Sequence, residues 1–273
     1  MLFVSICLNT PMLFKYNAIL CAVAAFEHSM PTYIKNKEVK KILHLKKMNL
    51  KLQRLLNVPV IEQRTPEWFE ARLQSITSSE AASVLGQNHY ENATSVLFKK
   101  FGVCPKFKGN MATAFGIQHE EKAIALYCAA MRKKQHEVGL IRYDQVHGPS
   151  EYHMVAGSAD GIASFIDDPT KEPLMLEFKV PYRRKILPGV VPEHYVSQVQ
   201  LNMFICDLEY AEFVELKPDP FFMNIVRVQK DRHWLSQNLP IIQEFHKEIV
   251  KYQQVGIENH PEYEKYLKKS KEE

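Results

Sequence analysis

The sequence predicts an α/β fold, a central mixed β-sheet flanked by helices, and three observations carry that expectation. Apolar residues recur at helical spacing between Pro66 and Lys133. The period becomes extended after Tyr152, with turn chemistry at Asp167-Asp168-Pro169-Thr170 dividing two strand-like runs. A helix, two further strands and an amphipathic helix then complete the order to Gly256.

Each element has a local cause. Pro66 suits the first turn of a helix over Pro66–Leu73, with Thr65 as its cap. Trp68 reads as the core anchor of that helix rather than a base-stacking residue. Residues 76–80 restart a second helix that runs through Leu85 and ends at Gly86. Thr94–Phe101 is a third helix, stopped by Gly102, and a longer one follows Gly116 to about Lys133. Met154–Phe165 and Leu174–Val180 form a hairpin. Pro192 opens a helix reaching Cys206. Ala211–Leu216 and Phe221–Val228 are strand-like, and the last helix spans Asp231 to Gln254 with a bend expected at Pro240.

A chain of 273 residues with 46% hydrophobic and 24% charged content has enough apolar side chain for one sizeable core. One domain of about 200 residues plus an appendage is the economical division. The boundaries expected are an N-terminal extension at 1–57, the main domain at 58–256 and a charged, fraying tail at 257–273. The apolar runs Leu2–Leu8 and Ala18–Phe26 fall short of the ~20 residues a membrane-spanning helix needs. No stable membrane association is expected. Ala18–Ala25 imitates a signal-peptide core but lacks a basic start, and residues 31–57 read as a lysine-rich lead-in. The formal net charge of +4 permits nucleic-acid binding without demonstrating it. Five scattered cysteines form no CxxC pair, so neither a zinc site nor a disulfide framework is indicated, and an intracellular location is expected.

The chemistry lies in the hairpin. In Leu174–Val180, Leu176, Phe178 and Val180 share one face and Glu177 and Lys179 the other. A turn centred between Asp168 and Pro169 pairs residues whose numbers sum to 337, which sets Asp160 opposite Glu177. Two carboxylates this close repel unless a cation lies between them, and a hard divalent ion with oxygen ligands answers that need. Such a site activates water for in-line attack on a phosphodiester, with Lys179 positioning or polarising the nucleophile. A lone Glu-x-Lys carries little, since it recurs at Glu38/Lys40, Glu120/Lys122 and Glu215/Lys217 as solvated charge.

Context adds a family. The ordered motifs at Arg72–Glu80, Gly116–Glu120, Gly157–Gly161, Leu176–Pro181 and Tyr195–Gln200 resemble the lambda-exonuclease/YqaJ-type viral recombinases of the PD-(D/E)xK nuclease superfamily. The resemblance spans about Glu62 to Val228. It implies a restriction-endonuclease-like fold, Mg²⁺ (with Mn²⁺ able to substitute), and 5′-to-3′ degradation of one strand from double-stranded DNA ends. It also implies a homotrimer and a single-strand annealing partner, in host cytoplasm or nucleus if viral.

Carried over by position, Asp160, Glu177 and the carbonyl of Phe178 match the metal ligands, with Glu120 completing the acidic cluster directly or through water. Lys179 matches the catalytic lysine, and Gln198 and Tyr195 the helix motif. His194, Gln198 and Asn202 form one polar stripe on that helix. Periodicity alone does not separate Glu120 from Glu121. Arg72 and Ser79 match residues that hold the 5′-phosphate, which is physically sound for an arginine beside a helix start. Ser158 resembles a further phosphate contact, and Arg183, Arg184 and Lys185 form a basic patch beyond the catalytic strand.

The extension to about Leu50 has no counterpart in this pattern. The four-cysteine signature of iron–sulfur relatives is missing. Two alternatives keep the fold: a site- or structure-specific endonuclease, distinguished by attack on closed circles, and a catalytically silent DNA-binding module. The latter has no need of an acidic cluster near phosphate.

Overall fold

A computed structural model describes residues 50–104 and 109–272, and the expectations for residues 1–49 lie outside them. Residues 50–56 are helical, and Leu55 and Val58 enter the core, so packing begins before the expected start at Val58. Helix α1 (Pro66–Leu73) is capped by Thr65, whose side chain accepts from the backbone of Trp68. Strand β1 (Ile76–Thr77), a 3-10 turn (Ser78–Glu80) and α2 (Ala81–Val84) follow. The expected single helix from Ile76 is therefore only partly helical. Ile76 and Thr77 extend because they pair in parallel with β4 (Val155–Gly157). Asn92 caps α3 (Ala93–Lys100).

Helix α4 is Met111–Met131, beginning earlier than expected because Asn110 caps it, so Gly116 lies inside it. Strands β2 (Lys133–His136) and β3 (Ile141–Arg142) and the short α5 (Tyr143–His147) come next. β4 lies between β1 and β3 in a three-stranded sheet. Strands β5 (Gly161–Phe165), β6 (Leu174–Lys179), β7 (Tyr210–Lys217) and β8 (Phe222–Gln229) join β2 in a mixed sheet ordered β2-β5-β6-β7-β8, with only β6 and β7 parallel. The single strand expected over Met154–Phe165 is thus two, one in each sheet, joined through Ser158-Ala159-Asp160. Helix α6 (Glu193–Ile205) is the crossover from β6 to β7. Helix α7 (Arg232–Val255) contains Pro240.

The hairpin register is the one the turn implied: Gly161 pairs with Leu176, Ile162 with Met175 and Ala163 with Leu174. The burial of β6 differs from expectation. Leu174, Leu176, Phe178 and Val180 pack with Ala123 and Tyr127 of α4 on one face. Met175 joins Val199, Leu201 and Ile205 of α6 in a second cluster on the other. β6 is central and covered on both sides, so Glu177 is 0% exposed rather than lying on an open polar face.

β2 reads Lys-Lys-Gln-His, which carries no apolar alternation, yet Lys133 is buried. Its ammonium donates to Glu212 Oε1 at 2.6 Å and to the Tyr127 hydroxyl at 3.0 Å, while Tyr127 donates to Glu212 Oε2 at 2.5 Å. Pairing of this kind is what makes a buried charge tolerable. Within the segment expected as a fraying tail, residues 257–272 form a 3-10 turn (Ile257–Asn259) and α8 (Tyr263–Glu272). It is held because Tyr266 stacks on Phe98, with ring centroids 4.4 Å apart.

Candidate active site

Asp160 follows the β4–β5 link and continues the hairpin register beyond Gly161. Its backbone N–H donates to the Leu176 carbonyl (3.1 Å), and its Oδ2 accepts from the backbone of Phe178 (2.6 Å). Gln135 Nε2 donates to the Asp160 carbonyl at 2.6 Å, tying β2 to the site. Gly161, against which the side chain of that glutamine lies, has φ 157, and an added Cβ would stand 2.7 Å from Gln135 Cγ.

Glu177 Oε1 accepts from both Lys179 Nζ and Gln198 Nε2, and Oε2 accepts from Asn202 Nδ2 at 3.3 Å. Gln198 and Asn202 lie one turn apart on α6, so the crossover helix supplies two donors to the buried carboxylate. Asn202 is the residue that motif matching omitted. Its place in the polar stripe was the available signal, and its 0% exposure shows that the stripe faces inward. Lys179 Nζ also stands 5.2 Å from the Tyr195 ring, which packs on Phe213.

Burial raises the Glu177 carboxyl to about 8, Lys179 opposing and Asp160 and Glu120 adding to the rise. Asp160 is raised by burial as well, against Lys179 and the Phe178 N–H. Burial acts to lower the Lys179 ammonium, but Glu177 and Asp160 outweigh it and hold the group above its ordinary value. Glu120 is raised by burial and by Asp160, with Lys179 and Arg64 opposing. Glu120 and Glu121 both line a cleft of about 560 Å³, together with Asp160, Glu62, Arg64, Gln135 and Glu137. Of the two, Glu120 is the one that acts on the hairpin carboxylates.

A cluster of carboxylates with one ammonium repels itself more than it is compensated, and hard oxygen donors suit a small divalent cation. Among the described residues, no three His, Cys, Asp or Glu side chains converge as a metal cage. The carboxylates that the hairpin brings together are Asp160 and Glu177, which act on each other electrostatically. That pair fits an ion that keeps several waters.

Arg72 and Ser79 do meet: Arg72 Nη2 donates to Ser79 Oγ at 3.1 Å. The guanidinium lies 4.5 Å over the Trp68 ring. Trp68 is therefore a platform for Arg72 rather than a core anchor, since no residue of the exposed helix α1 is fully buried. Ser158 accepts from Gln63 at 3.3 Å. The basic patch divides. Arg183 and Lys185 are exposed, whereas Arg184 donates to the fully buried Glu215 at 2.5 Å and is committed to that pair.

The two-helix-covered mixed sheet, with Asp160, Glu177 and Lys179 at one end of its central hairpin, defines a restriction-endonuclease-like domain. The YqaJ-like viral recombinase domain model matches residues 67–209, and the chain belongs to that family. It is 26% identical over 195 residues to uncharacterized protein R354 of Acanthamoeba polyphaga mimivirus, covering 68% of this chain and 34% of that protein. The chain thus spans about a third of the length of that relative. Two solved structures share the fold. LHK-Exo in complex with dAMP has 21% identity and a TM-score of 0.54, covering 76% of this chain and 99% of that one. The alkaline exonuclease LHK-Exo from Laribacter hongkongensis has 21% identity and a TM-score of 0.53 over the same shares. Among the described residues no helix is long and apolar enough to cross a membrane.

Proposed function

We propose that this chain is a divalent-metal-dependent deoxyribonuclease that degrades one strand of linear duplex DNA from its 5′ end, using Mg²⁺ or, in substitution, Mn²⁺. The observation that carries the reading is the meeting of Asp160, Glu177 and Lys179 on a hairpin end beside a carboxylate-lined cleft. Family membership and the exonuclease named among its structural neighbours support the substrate class.

Asp160, Glu177 and the Phe178 carbonyl would hold the metal, with Glu120 reaching it directly or through water. Bound there, the cation supplies charge neutralisation at the phosphate and acidifies water. Lys179, kept protonated by Glu177 and Asp160, orients the nucleophile and offsets charge that develops on the phosphate. Gln198 and Asn202 fix the rotamer of Glu177. Arg72 and Ser79 hold the terminal 5′-phosphate, helped by Ser158, and Arg183 and Lys185 steer the backbone. A homotrimer acting with a single-strand annealing protein, in an intracellular recombination role, completes the proposal.

The test compares three DNAs: linear duplex with 5′-phosphate, the same duplex with 5′-hydroxyl, and a closed circle, each with Mg²⁺ and with EDTA. Metal-dependent loss of the phosphorylated duplex, with the circle intact, is the expected result. Cutting of the circle would turn the reading to an endonuclease, and hydrolysis undiminished in EDTA would remove the metal from it.

A further inference from the structure

Lys100 ends α3, and its side chain is only 3% exposed. Its ammonium donates to the Arg72 carbonyl (2.8 Å), the Ser75 carbonyl (2.6 Å), Glu80 Oε1 (2.9 Å) and Glu80 Oε2 (2.7 Å). An ammonium has three donor hydrogens, so four acceptors exhaust it and none remains for a ligand. The Arg72 carbonyl lies in the last turn of α1 and the Ser75 carbonyl just past its Gln74 cap, where a cation also suits the helix dipole. Glu80 in turn accepts from the Thr77 backbone (2.9 Å) and hydroxyl (2.8 Å), closing the turn that carries Ser79. Lys100 and Glu80 therefore clip together the two segments that present Arg72 and Ser79.

The charges matter as much as the clip. Among the described residues Arg72 has no ion-pairing carboxylate; Glu80 acts on it only at longer range. Its contacts are Ser79 Oγ and the Trp68 ring. A polar chain nonetheless runs from Arg72 through Ser79 and Thr77 to Glu80. Arg72, Lys100 and Glu80 together leave one net positive charge. Without Lys100, Glu80 would be a half-buried carboxylate lacking its counter-ion, and Arg72, on which Glu80 already acts, has further N–H donors beyond the one given to Ser79.

We infer that Lys100 is a positioning residue that keeps an anion site open at Arg72 and Ser79, by holding Glu80 away from the Arg72 guanidinium. The inference rests on the reading of that site as the holder of a terminal 5′-phosphate. Lys100 touches no substrate. Its effect is to leave the guanidinium unpaired, so that an incoming phosphate does not have to displace an internal carboxylate.

The experiment measures the ratio of degradation rates on 5′-phosphorylated and 5′-hydroxyl linear duplexes. In parallel, the same two duplexes are titrated against the protein in EDTA, which reads affinity without turnover. A charge-assisted contact of about 1.5–3 kcal/mol corresponds to a wild-type preference of roughly 10- to 100-fold. Lys100→Met should bring both ratios near one. Adding Glu80→Gln to that variant should restore most of the preference, because glutamine still caps Thr77 but cannot neutralise Arg72. A merely structural role for Lys100 predicts no rescue. Retention of the preference by Lys100→Met, or failure of the second substitution to restore it, overturns the inference. Should Lys100→Met not fold, Glu80→Gln alone and the double variant still decide: both must keep the preference, and its loss in either refutes the mechanism. A wild-type protein indifferent to the 5′ group would instead remove the end-phosphate reading itself.

Discussion

Gly157→Ala tests whether the buried contact between α6 and Glu177 is as tight as the structure shows. A Cβ at Gly157 would stand 2.1 Å from Asn202 Oδ1, 3.0 Å from Ile205 Cδ1 and 3.2 Å from Ser78 Oγ. Among the described residues Oδ1 has no hydrogen-bond partner to hold it, but the amide is anchored through Nδ2 to Glu177. Relief requires Asn202 to rotate, which withdraws a donor from a fully buried carboxylate. Overpacking costs about 1–3 kcal/mol and a hydrogen bond to a charged group about 1.5–3, so a loss on the order of 3 kcal/mol is expected. At roughly 2–4 °C per kcal/mol for a domain of this size, the melting temperature should fall by about 6–12 °C. Urea unfolding of Gly157→Ala, Asn202→Ala and the double variant completes the cycle. With Asn202 truncated, the tightest contact is gone and only Ile205 Cδ1 and Ser78 Oγ must give by a few tenths of an ångström, so the added methyl should cost clearly less than it does in the wild type. Additivity of the two substitutions within about 0.5 kcal/mol would show that they do not touch, and the packing argument would fall.

Three further outcomes follow from the same geometry. Glu177→Gln should lower cleavage by orders of magnitude while circular dichroism stays native, since glutamine preserves the shape against Gln198 and Asn202; near wild-type turnover would remove Glu177 from the chemistry. Alanine is the poorer probe, because Lys179→Ala would strand the buried Glu177 carboxylate at a cost of about 3–5 kcal/mol. Arg72→Ala should slow digestion of 5′-phosphorylated ends by roughly 10- to 100-fold and of 5′-hydroxyl ends little, and equal losses would assign it to the fold or to internal phosphates. In EDTA, the Glu177 contribution to stability should fall as pH rises from about 4.5 to 8, because folded Glu177, raised to about 8, retains a proton that the unfolded chain has lost. His136, His147, His194 and His246, held below the ordinary histidine value by desolvation, act the other way in the lower part of that range, so the readout is the difference between wild type and Glu177→Gln. Thermal melts at pH 5 and pH 8 should show wild type losing stability relative to the variant at the higher pH.

Much of this was legible in the sequence, for reasons that differ by element. Asp167–Thr170 fixed the hairpin register because turn chemistry and a period of two leave little freedom. β2 was illegible because Lys133 is buried by pairing with Glu212 and Tyr127, partners far away in sequence. β1 was illegible for a related reason: Ile76 and Thr77 extend only because β4 pairs with them. Glu177 looked exposed because alternation reports which residues share a face, whereas α6 decides whether that face meets water. Asn202 shows in the sequence only as a member of a polar stripe and Lys100 shows no signal; the roles of both come from acceptors that only the folded chain brings near.

The split of the Met154–Phe165 run has a metrical consequence. β1 leads directly into the turn bearing Ser79, and it is hydrogen-bonded to β4, which reaches Asp160 in three residues beyond Gly157. The place that would grip a strand end and the place that would cut it are thus spaced by backbone, with no hinge between them. If the proposed roles of Ser79 and Asp160 hold, the spacing between grip and cut is a property of the backbone pairing of β1 with β4, and lengthening the Ser158-Ala159 link by one residue should disturb the chemistry more than the fold.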